Sequence, residues 1–362
     1  MRLTAHSDLQ SLESRAAHRI GGMGQMRSRL HQKQNTFSTL INSSHPNPVL
    51  KYGATLLSSL CLGIAMGIAT AAATVSPANE ILPAEQPTRV AQVQATTTPA
   101  AADALNQGID LIRQGKLNAA IAAFQKATRI DPNLSPAHYN LGLALRQQGQ
   151  LQLAATAFYN SIQADPNFAL AYANLGAALL EGNNVDQAKD YLQRALELDP
   201  NLGLAHYNIG LLLELRGSLK KALKAHQTAL KHSPNAPEPA YHIGLIHLQR
   251  GKTQRAREAF QQALKINPNY AEVHYNLGTL LLNENKLEEA LQAFRRSAES
   301  NSNYANAYYA AGLVFMRQRK YSDAQQVLQY ARDLYTAQSN SKWAATASKL
   351  LQQAQELAAQ NN

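Results

Sequence analysis

One cysteine stands in the 362 residues, Cys61, so no intrachain disulfide can form and no metal centre of the Cys-cluster kind can be built. Aromatic residues make up only 6%, and Trp occurs once. The abundance of Ala, Leu and Gln points to helices packed through small side chains rather than to a bulky globular core. Charge is sparse too, at 16%. Residues 1–75 hold seven Lys/Arg against Asp8 and Glu13, a net +5, which leaves +5 of the total +10 for the other 287 residues. A phosphate-binding surface needs a dense basic stripe, so no nucleic-acid partner is expected. There is no phosphate loop, nucleophile elbow or short metal-binding motif. The expectation is therefore no enzyme activity, with catalytic, metal and cofactor sites all none.

Long hydrophobic runs occur in one place. After a basic region, 1–52, read as mostly disordered, an uncharged segment runs over 53–75, from Gly53 to Val75, with its apolar heart at residues 56–69. Lys51 before it and Ala71-Ala72-Ala73 after it fit the order of a secretory signal. The segment is also just long enough to span a bilayer as an uncleaved anchor. Both readings keep the basic residues cytoplasmic and place the rest outside, periplasmic, secreted or membrane-anchored. Leu60 before Cys61 does not fit a lipid-attachment site. Residues 76–100, rich in Ala, Thr, Pro and Gln, read as a flexible linker.

Beyond the linker the chain is periodic. Gly108, Gly142, Gly176, Gly210, Gly244, Gly278 and Gly312 recur every 34 residues without a slip. Twelve positions after each stands an Ala: Ala120, Ala154, Ala188, Ala222, Ala256, Ala290 and Ala324. Pro132, Pro166, Pro200, Pro234 and Pro268 close the first five units, where they are expected to enforce the break between helices. The small residues allow two helices to cross closely. Phe124, Phe158, Phe260 and Phe294 are expected to fill the inner face of the second helix. Gly115, Gly149, Gly217 and Gly251 mark a left-handed turn between helices. Asn183 and Asn285 can replace Gly there, whereas Arg319 departs from the pattern.

Seven registers held in phase identify the chain as a member of the tetratricopeptide-repeat (TPR) family. The resemblance covers 101–338 as seven units: 101–134, 135–168, 169–202, 203–236, 237–270, 271–304 and 305–338. It implies an all-α fold, a right-handed α-α superhelix (TPR solenoid) of seven helix-turn-helix repeats. Residues 339–362 are expected to add a C-terminal capping helix, whose face of Trp343, Ala347, Leu350, Ala354 and Leu357 covers the open end of the stack.

In this family the concave groove is lined from the second, fifth, sixth, ninth, twelfth and thirteenth positions of each unit. The sixth gives Asn106, Asn140, Asn174, Asn208, His242 and Asn276, then Ala310; the fifth gives Tyr139, Tyr207, Tyr241, Tyr275 and Tyr309. An amide both donates and accepts, so such a row can match a peptide backbone of any sequence. It is similar to the Asn ladder in the TPR superhelix of protein O-GlcNAc transferase, a resemblance confined to the repeats. The same residues also suit local packing, and both roles are open at this point. No unit carries the Lys and Asn pair with which some relatives clamp a terminal carboxylate.

Other polar groups are read as structural. His138, His206 and His274 recur at the fourth position of every second unit, a packing periodicity. His242 and His247, five apart, share no helical face well. A basic cluster within 203–270, including Lys220, Lys221, Lys224, Arg255 and Arg257, falls mostly on second helices or turns and reads as a solvated face, or as a surface for an acidic protein partner or for the anionic membrane surface. The reading is thus a scaffold that binds extended peptide segments of a protein partner beyond the cytoplasmic membrane. The alternatives are an architectural protein that self-associates and an auxiliary subunit of an enzyme such as a glycosyltransferase.

Overall fold

The computed structural model describes residues 98–360. The basic region, the hydrophobic segment and nearly all of the linker lie outside the described residues, as do residues 361–362.

Fifteen α-helices and no strand occur among the described residues. The first helices of the seven units are α1 (Pro99–Arg113), α3 (Ser135–Gln147), α5 (Ala169–Glu181), α7 (Gly203–Leu215), α9 (Pro237–Gln249), α11 (Ala271–Asn283) and α13 (Ala305–Arg317). The second helices are α2 (Leu117–Ile130), α4 (Leu151–Ala164), α6 (Val185–Leu198), α8 (Leu219–His232), α10 (Thr253–Ile266), α12 (Leu287–Ser300) and α14 (Tyr321–Ala337). The last helix is α15 (Ser341–Gln360). This is a TPR solenoid, with each helix packed on the next in chain order.

The repeating Gly has a specific partner. A Cβ at Gly142 would lie 2.6 Å from the Phe158 ring, and one at Gly108 would lie 2.4 Å from Phe124. The eighth residue of each unit is therefore small because the twenty-fourth fills the space above it. That column reads Phe124, Phe158, Leu192, His226, Phe260, Phe294 and Leu328, each at most 1% exposed. The Ala column, from Ala120 to Ala324, is 0% exposed throughout and lets the second helix approach the first.

The helix turns are uniform. Gly115 has φ +70 and Arg319 has φ +59, and both donate the same pattern of C-terminal bonds. Lys116 N–H reaches the Leu111 carbonyl at 2.9 Å, and Lys320 N–H reaches that of Phe315 at 2.9 Å. Arg319 thus adopts the left-handed turn despite its side chain, and the last unit keeps the geometry of the others.

The break between units has a second cause beside the closing Pro. In five units an Asp or Asn at position 31 accepts a bond from the N–H two residues on. The pairs are Asp131 with Asn133, Asp165 with Asn167, Asp199 with Asn201, Asn267 with Asn269 and Asn301 with Asn303, all at 3.0 Å. Such Asx turns draw the backbone out of the helix. The sixth unit has Ser302 in place of Pro, yet α12 still ends at Ser300, because Asn301 makes this turn. The seventh has Tyr335 and Thr336 at these positions, and α14 runs through them to Ala337.

On α15, Ala347, Leu350, Leu351 and Ala354 are buried, and the helix packs along α14. Trp343 is half-buried, stacked on Tyr335 at 5.9 Å and edge-on to Tyr309 at 5.6 Å.

Candidate functional site

First helices also touch first helices of the following unit, as α1 does α3, α3 does α5, α5 does α7 and α11 does α13. This closer approach makes the row of first helices the inner face of the stack.

On that face the asparagines are tied into the chain. Asn106 is exposed, and Asn140 is half-buried with its Nδ2 donating to the Pro136 carbonyl at 2.8 Å. Asn174, Asn208 and Asn276 are 2%, 2% and 5% exposed. Asn174 Nδ2 donates to the Leu170 carbonyl at 3.0 Å and to the Tyr139 hydroxyl at 3.2 Å. Asn276 repeats this with the Glu272 carbonyl at 2.8 Å and the Tyr241 hydroxyl at 3.4 Å. Asn208 faces Ala173 where a Tyr would stand, and its Nδ2 reaches the Ala173 carbonyl at 3.5 Å.

The tyrosines carry the other half of this arrangement. Tyr139 is half-buried, and Tyr207, Tyr241, Tyr275 and Tyr309 are buried. Each of the first four rings lies on residue 24 of its own unit: Tyr139 on Phe158, Tyr207 on His226, Tyr241 on Phe260 and Tyr275 on Phe294, at 5.6–6.0 Å. Burial pushes the Tyr275 and Tyr309 hydroxyls up to about 12, so they stay protonated.

Five leucines at groove positions are more open, whereas Ala177, Leu245 and Leu313 at the ninth position are buried. Leu143, Leu170, Leu204 and Leu211 are half-buried, and Leu215 is 51% exposed. Between them Arg146 reaches across to the next unit, its Nη2 donating to Glu181 Oε1 at 2.6 Å and its Nη1 to Asn174 Oδ1 at 3.3 Å. Farther along, burial raises the carboxyl of Glu272 above its usual range.

His138, His206 and His274 each place Nε2 2.7–2.9 Å from the carbonyl of the preceding closing Pro, at Pro132, Pro200 and Pro268. They clamp the inter-unit turn, as the periodicity suggested. Of the basic cluster, Arg216 pairs with Asp186 and Arg257 with Glu284.

One constellation was not anticipated. Glu214 on α7, His226 on α8 and His242 on α9 meet at the junction of the fourth and fifth units. Glu214 Oε1 lies 2.6 Å from His226 Nε2 and 2.9 Å from His242 Nδ1. The two imidazoles stack at 5.1 Å, with Tyr207 and Tyr241 packed about them. The side chains are 0% exposed at His226, 6% at His242 and 14% at Glu214. Burial alone would raise the Glu214 carboxyl, but the imidazoles of His242 and His226 outweigh it and hold it at about 2. Burial pushes the His226 imidazole below its ordinary value, against its hydrogen bond to Glu214. His226 Nδ1 is buried without a partner.

No short motif could have revealed this cluster, since its residues stand twelve and sixteen apart on three helices. Aligning the units by column reveals it. His226 stands where the other units have Phe or Leu. His242 stands in the Asn column. Glu214 stands where the others have Ile112, Arg146, Leu180, Leu248, Leu282 and Met316.

No helix among the described residues is long and apolar enough to cross a membrane. No curated protein matches the chain. Solved structures do. Cut9–Hcn1, a hetero-tetramer of the APC/C, aligns with a TM-score of 0.55 at 19% identity, over 68% of this chain and 48% of that one. This chain therefore spans about half the length of that relative. PilF of Pseudomonas aeruginosa aligns with a TM-score of 0.51 at 22% identity, over 56% and 92%. YrrB, described as a TPR protein with an unusual peptide-binding site, aligns with a TM-score of 0.41 at 27% identity, over 54% and 99%. The first two establish the fold alone. With seven units in register and residues 64–313 matched, the chain belongs to the tetratricopeptide-repeat family described as the Cilia and flagella-associated protein 70 C-terminal domain.

Proposed function

We propose that the protein is a non-enzymatic scaffold that holds an extended, largely apolar segment of a partner protein along the first helices of the second to fourth units. A TPR fold suits protein–protein interaction in general. The observation that carries this specific reading is the line of apolar side chains left open on the inner face: Leu143, Leu170, Leu204, Leu211 and Leu215. They occupy the second, ninth and thirteenth positions, one face of each helix. Successive first helices lie roughly 10 Å apart, so each would meet about every third residue of an extended peptide.

In this reading the Asn and Tyr rows divide their work. Asn140, at the N-terminal end of the held segment, offers polar contact to the ligand, and Asn106 would do so where the segment extends onto the first unit. Asn174, Asn208, Asn276 and the tyrosines fix the floor on which the leucines stand. The Gly53–Val75 segment would deliver the repeats across a membrane or hold them at its surface, so the partner is sought beyond the cytoplasm.

The test is selection of peptides from a random displayed library on the full chain, followed by affinity measurement. Leu204→Asp with Leu211→Asp should weaken the selected peptides by roughly tenfold or more at unchanged unfolding temperature. Unchanged affinity in that variant sinks the groove reading. Mass spectrometry of the N-terminus from membrane and extracytoplasmic fractions checks delivery. A chain found intact and only in the cytoplasm refutes that part.

A further inference from the structure

Six of the seven residues in the twenty-fourth column are Phe or Leu, and five of seven in the sixth are Asn. The two histidines that break these columns are not scattered. His226 and His242 break them at one junction, and both face one oxygen of Glu214, itself the only carboxylate in the twelfth column. Two imidazoles and a carboxylate are a recurrent donor set for divalent transition ions, zinc above all.

The geometry points to a divalent transition-metal site, of zinc type, formed by His226 Nε2, His242 Nδ1 and Glu214 across the boundary between the fourth and fifth units.

Several features agree with this. The donor atoms lie within 4.8 Å of one another. Metal–nitrogen and metal–oxygen bonds of about 2.0–2.2 Å in a tetrahedral site set neighbouring donors roughly 3.3–3.6 Å apart. The present separations of 2.6 and 2.9 Å therefore need to widen by about 0.4–1 Å. The two donors rest on rigid helices, and Glu214, at the end of its flexible side chain, is the one that can move.

Coordination needs both facing nitrogens bare, so a proton on His226 Nε2 or His242 Nδ1 moves to the other ring nitrogen or leaves to solvent. Of the three ligands Glu214 is the most exposed and lies in a groove-lining column. The fourth position, filled by water or by a ligand atom, therefore opens toward the inner face. Bound metal would join α7 and α8 of one unit to α9 of the next.

The test uses the full chain stripped of metal by chelation, with Zn²⁺ titrated in competition with a chromophoric chelator and Co²⁺ followed by visible absorption. The expected result is one tight equivalent, a four-coordinate cobalt spectrum and a rise in unfolding temperature with Zn²⁺. His226→Phe and His242→Asn give each column the residue it has in other units. Each leaves Glu214 one imidazole fewer and should fold with some loss of stability, so affinity is read on the folded variant at low temperature. Both should lose affinity by roughly 100-fold or more. Glu214→Gln, of the same shape, should behave likewise. Absence of a saturable equivalent in the parent overturns the site. So does an equivalent, with its thermal shift, that survives in all three variants, since it then resides on other histidines of the chain.

Discussion

Asn174 donates its side-chain N–H to the hydroxyl of Tyr139, 35 residues earlier, and so joins the second unit to the third at 3.2 Å. Asn276 and Tyr241 repeat the relation between the fifth and sixth. The pair couples the groove floor of one unit to that of the next. Asn174→Ala removes a buried amide that also accepts from Arg146 and should destabilise by about 1–3 kcal/mol. A double-mutant cycle with Tyr139→Phe should give a coupling of about 0.5–1.5 kcal/mol by urea unfolding. A cycle that closes at zero means that the bond contributes nothing to stability.

Gly142 has no room for a side chain beneath Phe158. Gly142→Leu forces the ring and the second helix outward and should cost about 1–3 kcal/mol, with the unfolding temperature as readout. A neutral result would mean that the helix pair yields at little cost and that the Gly column is not fixed by packing.

Asn301 breaks the helix alone, without a following Pro. Asn301→Ala should therefore lengthen α12 and disturb the junction to α13, at about 0.5–2 kcal/mol. Asn267→Ala, where Pro268 remains, should cost less, because the Pro itself cannot continue the helix. Equal losses at both sites would show that the Pro plays no part.

Glu272 gives a pH-dependent expectation. Burial raises its folded-state value above the unfolded one, so its ionisation opposes folding. The stability it allows is full below the unfolded value and is lost as pH rises through the folded value. Glu272→Gln should thus raise the unfolding temperature at neutral pH, and the gain should vanish in acid below the ordinary carboxylate range. A gain that is constant with pH would point to a cause other than charge.

Much of the fold is legible in the sequence because its determinants are local and repeated. The Gly, Ala and Phe columns, the turn residues and the stripe of α15 each follow from a fixed spacing. Arg319 was the position least compatible with its turn, and it adopts the turn nonetheless, since the bonds from Lys320 and its own N–H hold that geometry. The Pro in the helix break is conspicuous in the sequence, whereas the Asx bond that acts beside it works two residues away through a backbone N–H and is easily missed. The groove residues could be placed in columns, but not their partners. That Asn174 would bond Tyr139 depends on how two units sit together, which spacing within one unit does not contain. The Glu214–His226–His242 cluster was hidden for the same reason. Each member is ordinary in its own helix, and only the contact between units makes them neighbours.

The unbroken course of α14 through Tyr335 and Thr336, with Trp343 stacked on Tyr335, has a consequence for how such a chain can grow. Every junction up to the sixth unit ends in a polar turn or a Pro that would accept another copy of the 34-residue module behind it. The seventh has neither, and its exit is closed by an indole and a long helix. A further unit stacked in register behind the seventh would have to displace α15 and lift Trp343 from Tyr335 and Tyr309.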